Sequence, residues 1–93
     1  MEYKFAKIVG SNYKITSEGF NLSGNPIASA DHVALGLKVD LLVDPAESIV
    51  HIIANYDCDK VLAESAIDDL MESVQNSYKV FKIKSNLVER RGN

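Results

Sequence analysis

Every odd position from Val33 to Val43 is apolar: Val33, Leu35, Leu37, Val39, Leu41 and Val43. Alternation with period two over that length predicts a β-strand with one buried face. A second run, Ser48 to Asp57, is apolar at its even positions, Val50, Ile52, Ala54 and Tyr56. Asp44-Pro45-Ala46-Glu47 separates the two and has the residue order of a type I turn. Folding the runs about Pro45-Ala46 sets Leu41 opposite Val50, Val39 opposite Ile52, Leu37 opposite Ala54 and Leu35 opposite Tyr56. Both apolar rows then share one side of the sheet. A slip of one residue would turn one row to water, so the pattern specifies which face is buried.

The opposite face of this hairpin is too apolar for a solvated surface. It carries Leu42, Ile49 and Ile53 beside His51, Lys38, Asp40 and Asn55. Aliphatic residues in that number call for a cover, either an N-terminal hairpin or a second copy of the chain. Leu42, Ile49, His51 and Ile53 are therefore the candidate interface. Asp40 and His51 fall opposite each other in this register, a cross-strand pair of modest worth.

Lys60 to about Asn76 reads as one amphipathic helix. Ala63, Ala66, Ile67, Leu70, Met71 and Val74 recur at spacings of three and four, and the segment has no Gly or Pro. Asp57 or Asp59 supplies the N-cap, and Ser65 with Asp68 has the spacing of a capping box at which the helix could restart. Glu64, Asp68 and Glu72 stand four residues apart and form a candidate acidic contact surface, with no lysine or arginine from Val61 to Asn76 to offset them. The lysines and arginines after Asn76 either neutralise this face or meet it on a neighbouring copy.

The remaining segments are less sharply patterned. Tyr3 to Val9 has β-like composition with broken alternation. With Tyr13 to Thr16 it is expected to form a hairpin, or one strand bent at Gly10. Glu18-Gly19 signals a turn and Phe20 to Leu22 a short third strand. Ser23 to Asp31, with its Gly, Pro, Asn and Ser, is expected to be a surface loop. Tyr78 to Lys84 is read as a lysine-guarded edge strand, and residues 85–93 as a flexible tail.

Composition restricts the functional classes. At 93 residues the chain fits one domain, 1–93. A net charge of −3 argues against nucleic acid as a general partner. A single cysteine, Cys58, excludes an internal disulfide and fits a reducing compartment. No apolar run reaches the roughly 20 residues of a membrane span, and Met1 to Phe5 has no secretory character. A cytoplasmic protein with no membrane partner is expected.

Chemistry-bearing residues are few. His51, Asp57, Cys58 and Asp59 lack the paired spacing of a zinc site, and the aspartates suffice as helix caps. Cys58 with His51 or His32 as base would make a nucleophile at a strand-to-helix junction, but no catalytic signature surrounds it. The glycines form no phosphate-binding or dinucleotide motif. No cofactor, metal or catalytic residue is expected.

The Val33 to Asp57 meander, with Ile8 to Ile15 before it and a helix after it, resembles the SecB-like chaperones over about half the chain. That resemblance implies an antiparallel sheet followed by helices, an oligomer, and a sheet face that binds apolar peptide segments. Tyr78 to Lys84 stands where that family has a second helix. The expected fold is α+β, an antiparallel sheet of four to five strands with one amphipathic helix packed on one face. The expected function is a small non-catalytic protein-interaction module acting as a homo-oligomer, of the kind found as bacterial or phage accessory or inhibitor proteins. A chaperone of apolar segments and a small thiol-dependent enzyme centred on Cys58 are the alternatives.

Overall fold

The computed structural model describes residues 5–90. Its elements are α1 (Phe5–Val9), β1 (Tyr13–Phe20), β2 (Pro26–His32), β3 (Leu37–Asp44), β4 (Ile49–Tyr56), α2 (Lys60–Ser77) and β5 (Lys82–Glu89). The strands form one sheet in the order β1-β2-β3-β4-β5, and α1 and α2 pack on one face of it. The class is α+β, as the patterning indicates. The sheet is mixed rather than wholly antiparallel: β1 to β4 form an antiparallel meander, while β5 runs parallel to β4. The 18 residues of α2 span roughly 27 Å, so the chain re-enters the sheet at the end where β4 began.

The β3–β4 hairpin forms with both predicted faces but not with the predicted partners. Leu41 pairs with Ile52, Leu37 with Tyr56 and Val43 with Val50, two residues away from the expected register. The loop is four residues long, 45–48, instead of a tight turn about Pro45-Ala46. The Asp44 carboxylate accepts the Glu47 N–H at 3.2 Å, and Ser48 takes a left-handed backbone at φ 55° to enter β4. A shift of two preserves parity, so the buried rows are unchanged. Asp40 now lies opposite Ile53, and His51 opposite Leu42, which removes the expected Asp40–His51 pair.

The N-terminus differs in kind. Phe5, Ile8 and Val9 are all buried and spaced as on a helix. From Phe5 to Val9 the broken alternation was helical period. Among the described residues neither a hairpin nor a bent strand forms there; Tyr3 and Lys4 lie outside them. A 3-10 turn, Gly10–Asn12, leads into β1, which continues through Glu18-Gly19 to Phe20, with a bulge between Ile15 and Ser17.

The expected loop over Ser23 to Asp31 is mostly strand β2. Only the residues around Gly24, which has φ 80°, turn. The Asn21 side-chain carbonyl accepts the N–H groups of Ser23 and Asn25 at 3.0 and 2.9 Å, closing the β1–β2 hairpin. Leu22 lies in this turn, so no third strand forms from Phe20 to Leu22. Pro26 is the first residue of β2, a position that needs no ladder N–H, and Ala28 and Ala30 are small enough to bring the sheet close to the helices. The predicted strand start at Val33 is also displaced. Residues 33–36 turn, Val33 is 63% exposed, and β3 begins at Leu37. The His32 ring closes that turn, its Nδ1 accepting the N–H groups of Ala34 and Leu35 at 3.1 Å each.

Helix α2 is continuous from Lys60, with no restart at Ser65. Asp59 rather than Asp57 caps it, accepting the Val61 N–H at 3.2 Å. Ala63, Ile67, Leu70 and Val74 enter the core formed with Val39, Val43, Val50 and Ile52. After α2, the Gln75 side-chain amide donates to the carbonyls of Tyr78, Lys79 and Phe81, holding the connection to β5. The edge strand is Lys82–Glu89, not Tyr78 to Lys84, and most of the expected tail is ordered into it. At its end the Arg90 N–H donates to the Tyr56 carbonyl, and the Arg90 guanidinium meets the Asp57 carboxylate at 3.3 Å.

Candidate functional site

The sheet face away from the helices is built by the register. Ile27, Leu42, His51 and Lys84 lie in one row across β2, β3, β4 and β5, and Ser29, Asp40, Ile53 and Asn86 in the next. Ile49 extends the apolar area beside Asp44 and Lys82. The candidate residues Leu42, Ile49, His51 and Ile53 are thus together on one face. Ile53 is 44% exposed, while Leu42, Ile49 and His51 are half-buried by their neighbours. Both helices pack on the other side, and β1, expected as part of a covering hairpin, instead joins the sheet at its edge.

The face has a shallow hollow of about 430 Å³, lined by Ile27, Leu42, His51 and Ile53 with Ser29 and Asp40. The Ser29 hydroxyl donates to the Asp40 carboxylate, which satisfies the charge nearest the hollow. Toward one end of the face, Lys14, Asp31 and Lys38 alternate in sign in one row. Ile27 is the member that sequence reading missed. The alternation of Ile27, Ser29 and Asp31 with Ala28 and Ala30 was present, but the Gly, Pro, Asn and Ser of the segment suggested a loop.

Glu64, Asp68 and Glu72 are all exposed on α2. Glu64 and Asp68 flank a depression beside Ser85 and Leu87 of β5. Lys82 and Lys84 do not offset them. Those lysines lie in register with Ile49 and His51, on the far side of the sheet from α2. The helix face is thus acidic, while the open sheet face carries both signs, Lys82 and Lys84 beside Asp31, Asp40 and Asp44.

Cys58 follows β4, is half-buried and packs against the core, whereas His51 belongs to the open face. The structure does not bring them together. Asp57 is engaged by Arg90 and Asp59 by the helix terminus. Among the described residues no group of three His, Cys, Asp or Glu side chains could hold a metal ion, and no helix is long and apolar enough to cross a membrane.

A second concavity, of about 520 Å³, lies where α1 and the Gly10–Asn12 turn meet α2 and the ends of β1 and β2. Tyr13, His32 and Asp69 stand on its wall among Val9, Leu35 and Leu70. The Tyr13 and His32 rings meet edge to face, with centroids 4.9 Å apart. Burial, assisted by the Asp69 carboxylate, pushes the Tyr13 phenol up to about 12. The folded protein thus holds this proton more tightly than the unfolded chain, whose tyrosines ionise near 10. The resulting stability is complete below about pH 10 and is lost as pH rises toward 12. Urea unfolding of the wild type is expected to lose on the order of 2 kcal/mol across that window beyond the loss in Tyr13→Phe. Parallel pH profiles of the two proteins would refute this assignment.

Compared with protein-family models, with curated proteins and with solved structures, the chain matches none of them.

Proposed function

We propose that this chain is a protein-interaction module that pairs with a second copy of itself through the open face of its sheet. The observation that carries the reading is the contiguous apolar centre of that face, Ile27, Leu42, Ile49 and Ile53, on a sheet whose helices occupy only the other side. Five strands of up to eight residues make a face of roughly 24 by 26 Å, so two copies laid together would bury roughly 1,200 Å². That is the low end of specific interfaces and suits a dimer that forms in the micromolar range. Pairing a face with itself requires an apolar centre and mixed charge around it. Ile27, Leu42 and Ile53 supply the first; Lys14, Asp31, Lys38, Asp44 and Lys82 supply the second.

Light scattering over a range of concentrations tests the reading directly. The wild type is expected to approach twice the mass of one chain. Ile53→Asp places a carboxylate in the apolar centre and is expected to weaken association at least about tenfold. Ile53 is 44% exposed but pairs across the strands with Asp40, so the new carboxylate also weakens the monomer, by about 1–2 kcal/mol in urea unfolding, and association is compared at concentrations where both proteins are folded. A wild type that stays monomeric at high concentration refutes the proposal.

The hollow beside His51 favours a second reading, in which the same face takes an apolar segment of another protein, as a chaperone would. Suppression of client aggregation by the wild type, lost in Ile53→Asp, would separate this reading from simple dimerisation.

A further inference from the structure

His51 stands in the middle of the open face. Its row runs Gly19, Ile27, Leu42, His51 and Lys84 across the five strands. Ile49 and Ile53, two residues away on β4, share its side of the sheet. The ring is half-buried and lines the hollow with Ile27, Leu42 and Ile53. Among the described residues it forms no ion pair. Water still reaches the ring in the free chain, and a second copy laid on this face would take much of that water away.

The register gives the charges that face the ring from each strand. Strand β1 brings Lys14 and β2 brings Asp31. Strand β3 brings Lys38, Asp40 and Asp44, and β5 brings Lys82 and Lys84. Lys84 lies directly opposite His51, while Asp40 and Asp44 lie one residue pair to either side, opposite Ile53 and Ile49. Both aspartates are already engaged: Asp40 accepts from the Ser29 hydroxyl and Asp44 from the Glu47 N–H. Both helices pack on the other side of the sheet, so among the described residues no further element faces the ring. On the strand positions of this face four lysines stand against three aspartates. The face therefore has one net positive charge with a neutral ring and two with a protonated one.

We propose that His51 makes the pairing of two copies pH-sensitive, the dimer forming with the ring neutral and separating when the ring takes up a proton. The inference rests on the self-pairing reading given above. A twofold interface brings both copies of His51 into the same apolar centre. A proton on either ring then places a charge there with no carboxylate reserved for it, which opposes burial. It also raises the like charge of two identical faces. Protons thus bind the separate copies better than the dimer. Pairing is complete where imidazole is neutral, above about pH 7, and weakens as pH falls through the range in which imidazole becomes charged. Carboxylates ordinarily titrate near pH 4 and lysines near pH 10, outside this window.

The test is sedimentation equilibrium of the full chain at about pH 8 and about pH 5.5, at one ionic strength, with circular dichroism to establish that each sample is folded. The dissociation constant of the wild type is expected to rise at least about tenfold at the lower pH. His51→Gln has no ring to protonate, so its dissociation constant should be the same at both pH values, whatever its size, and His51→Phe repeats that check. His51→Lys carries the charge throughout and should pair at least about tenfold more weakly than the wild type at about pH 8. His32 is the control within the chain. It lies on the helix side of the sheet, its Nδ1 accepting the Ala34 and Leu35 N–H groups, and it is retained in every variant. A pH dependence that persists in His51→Gln and His51→Phe overturns the proposal. So does a wild type that pairs equally well or more tightly at the lower pH, an outcome that leaves self-pairing itself standing. A wild type that stays monomeric at both pH values overturns the two together.

Discussion

Phe5→Ala is expected to remove about 3–5 kcal/mol of stability, the usual cost of emptying a fully buried aromatic site. Phe5 is 2% exposed, in a helix with five residues among those described. A helix that short has no stability of its own in water. It exists because Phe5, Ile8 and Val9 are inserted into the core and the Ser73 hydroxyl bonds the Ile8 carbonyl. A chain of this length has a total stability of roughly 5–14 kcal/mol, so the substitution consumes a large part of it. Phe20, which is 59% exposed near the β1–β2 turn, supplies the control: Phe20→Ala should cost less than about 1 kcal/mol. Chemical unfolding of both variants checks the pair. Equal midpoints would mean that α1 is not docked as described.

Ending the chain at Lys84 is expected to have an effect of similar size. The truncation removes Ser85 to Glu89 of β5, which pair with Ile52 to Tyr56 of β4. It also removes Leu87, which packs against the core beside Ile67, and the Arg90 N–H bond to the Tyr56 carbonyl. Lost ladder bonds at about 1 kcal/mol each, together with the lost apolar burial, bring the expected cost to at least about 3 kcal/mol. Open backbone on β4 would also become a new edge, and aggregation should rise. A truncated protein with the stability of the full chain would restore the reading of residues 85–93 as a tail.

The reason that reading arose lies in β5 itself. Ile83 and Leu87 are its only residues that pack against the core, with Lys84, Ser85 and Asn86 between them and Lys82 before them. One helix covers one side of an edge strand, and two anchors suffice there, so the alternation that marks a central strand never develops. Strand β2 was obscured differently. Ala28 and Ala30 bury fully, but small side chains carry little hydrophobic contrast, and Pro26 reads as a breaker unless the strand begins with it. Helix α1 was obscured by brevity: Phe5, Ile8 and Val9 fit a damaged period of two almost as well as a period of three to four.

The candidate surfaces divide in the same way. Leu42, Ile49, His51 and Ile53 could be placed together from sequence, because alternation assigns faces residue by residue. Ile27 joins them only through the pairing of β2 with β3. The concavity beside Tyr13 had no local signal at all. Tyr13, His32 and Asp69 come from the start of β1, the end of β2 and the middle of α2.

By itself the sequence determined what each residue can decide with its near neighbours. That includes the buried face of β3 and β4, the span of α2, and the apolar excess on the far side of the hairpin. These follow from periods of 2 and 3.6, which are properties of the local backbone. The tertiary structure alone decided the rest. A period of two determines parity but not partner, so the loop at 45–48, closed by Asp44 and the left-handed Ser48, chose the register. A long helix determines that the chain returns but not to which edge, so the parallel placement of β5 and the mixed sheet came from packing α2 over the core. The unpaired Tyr13 hydroxyl was decided last, because whether a buried oxygen finds a partner depends on everything packed around it.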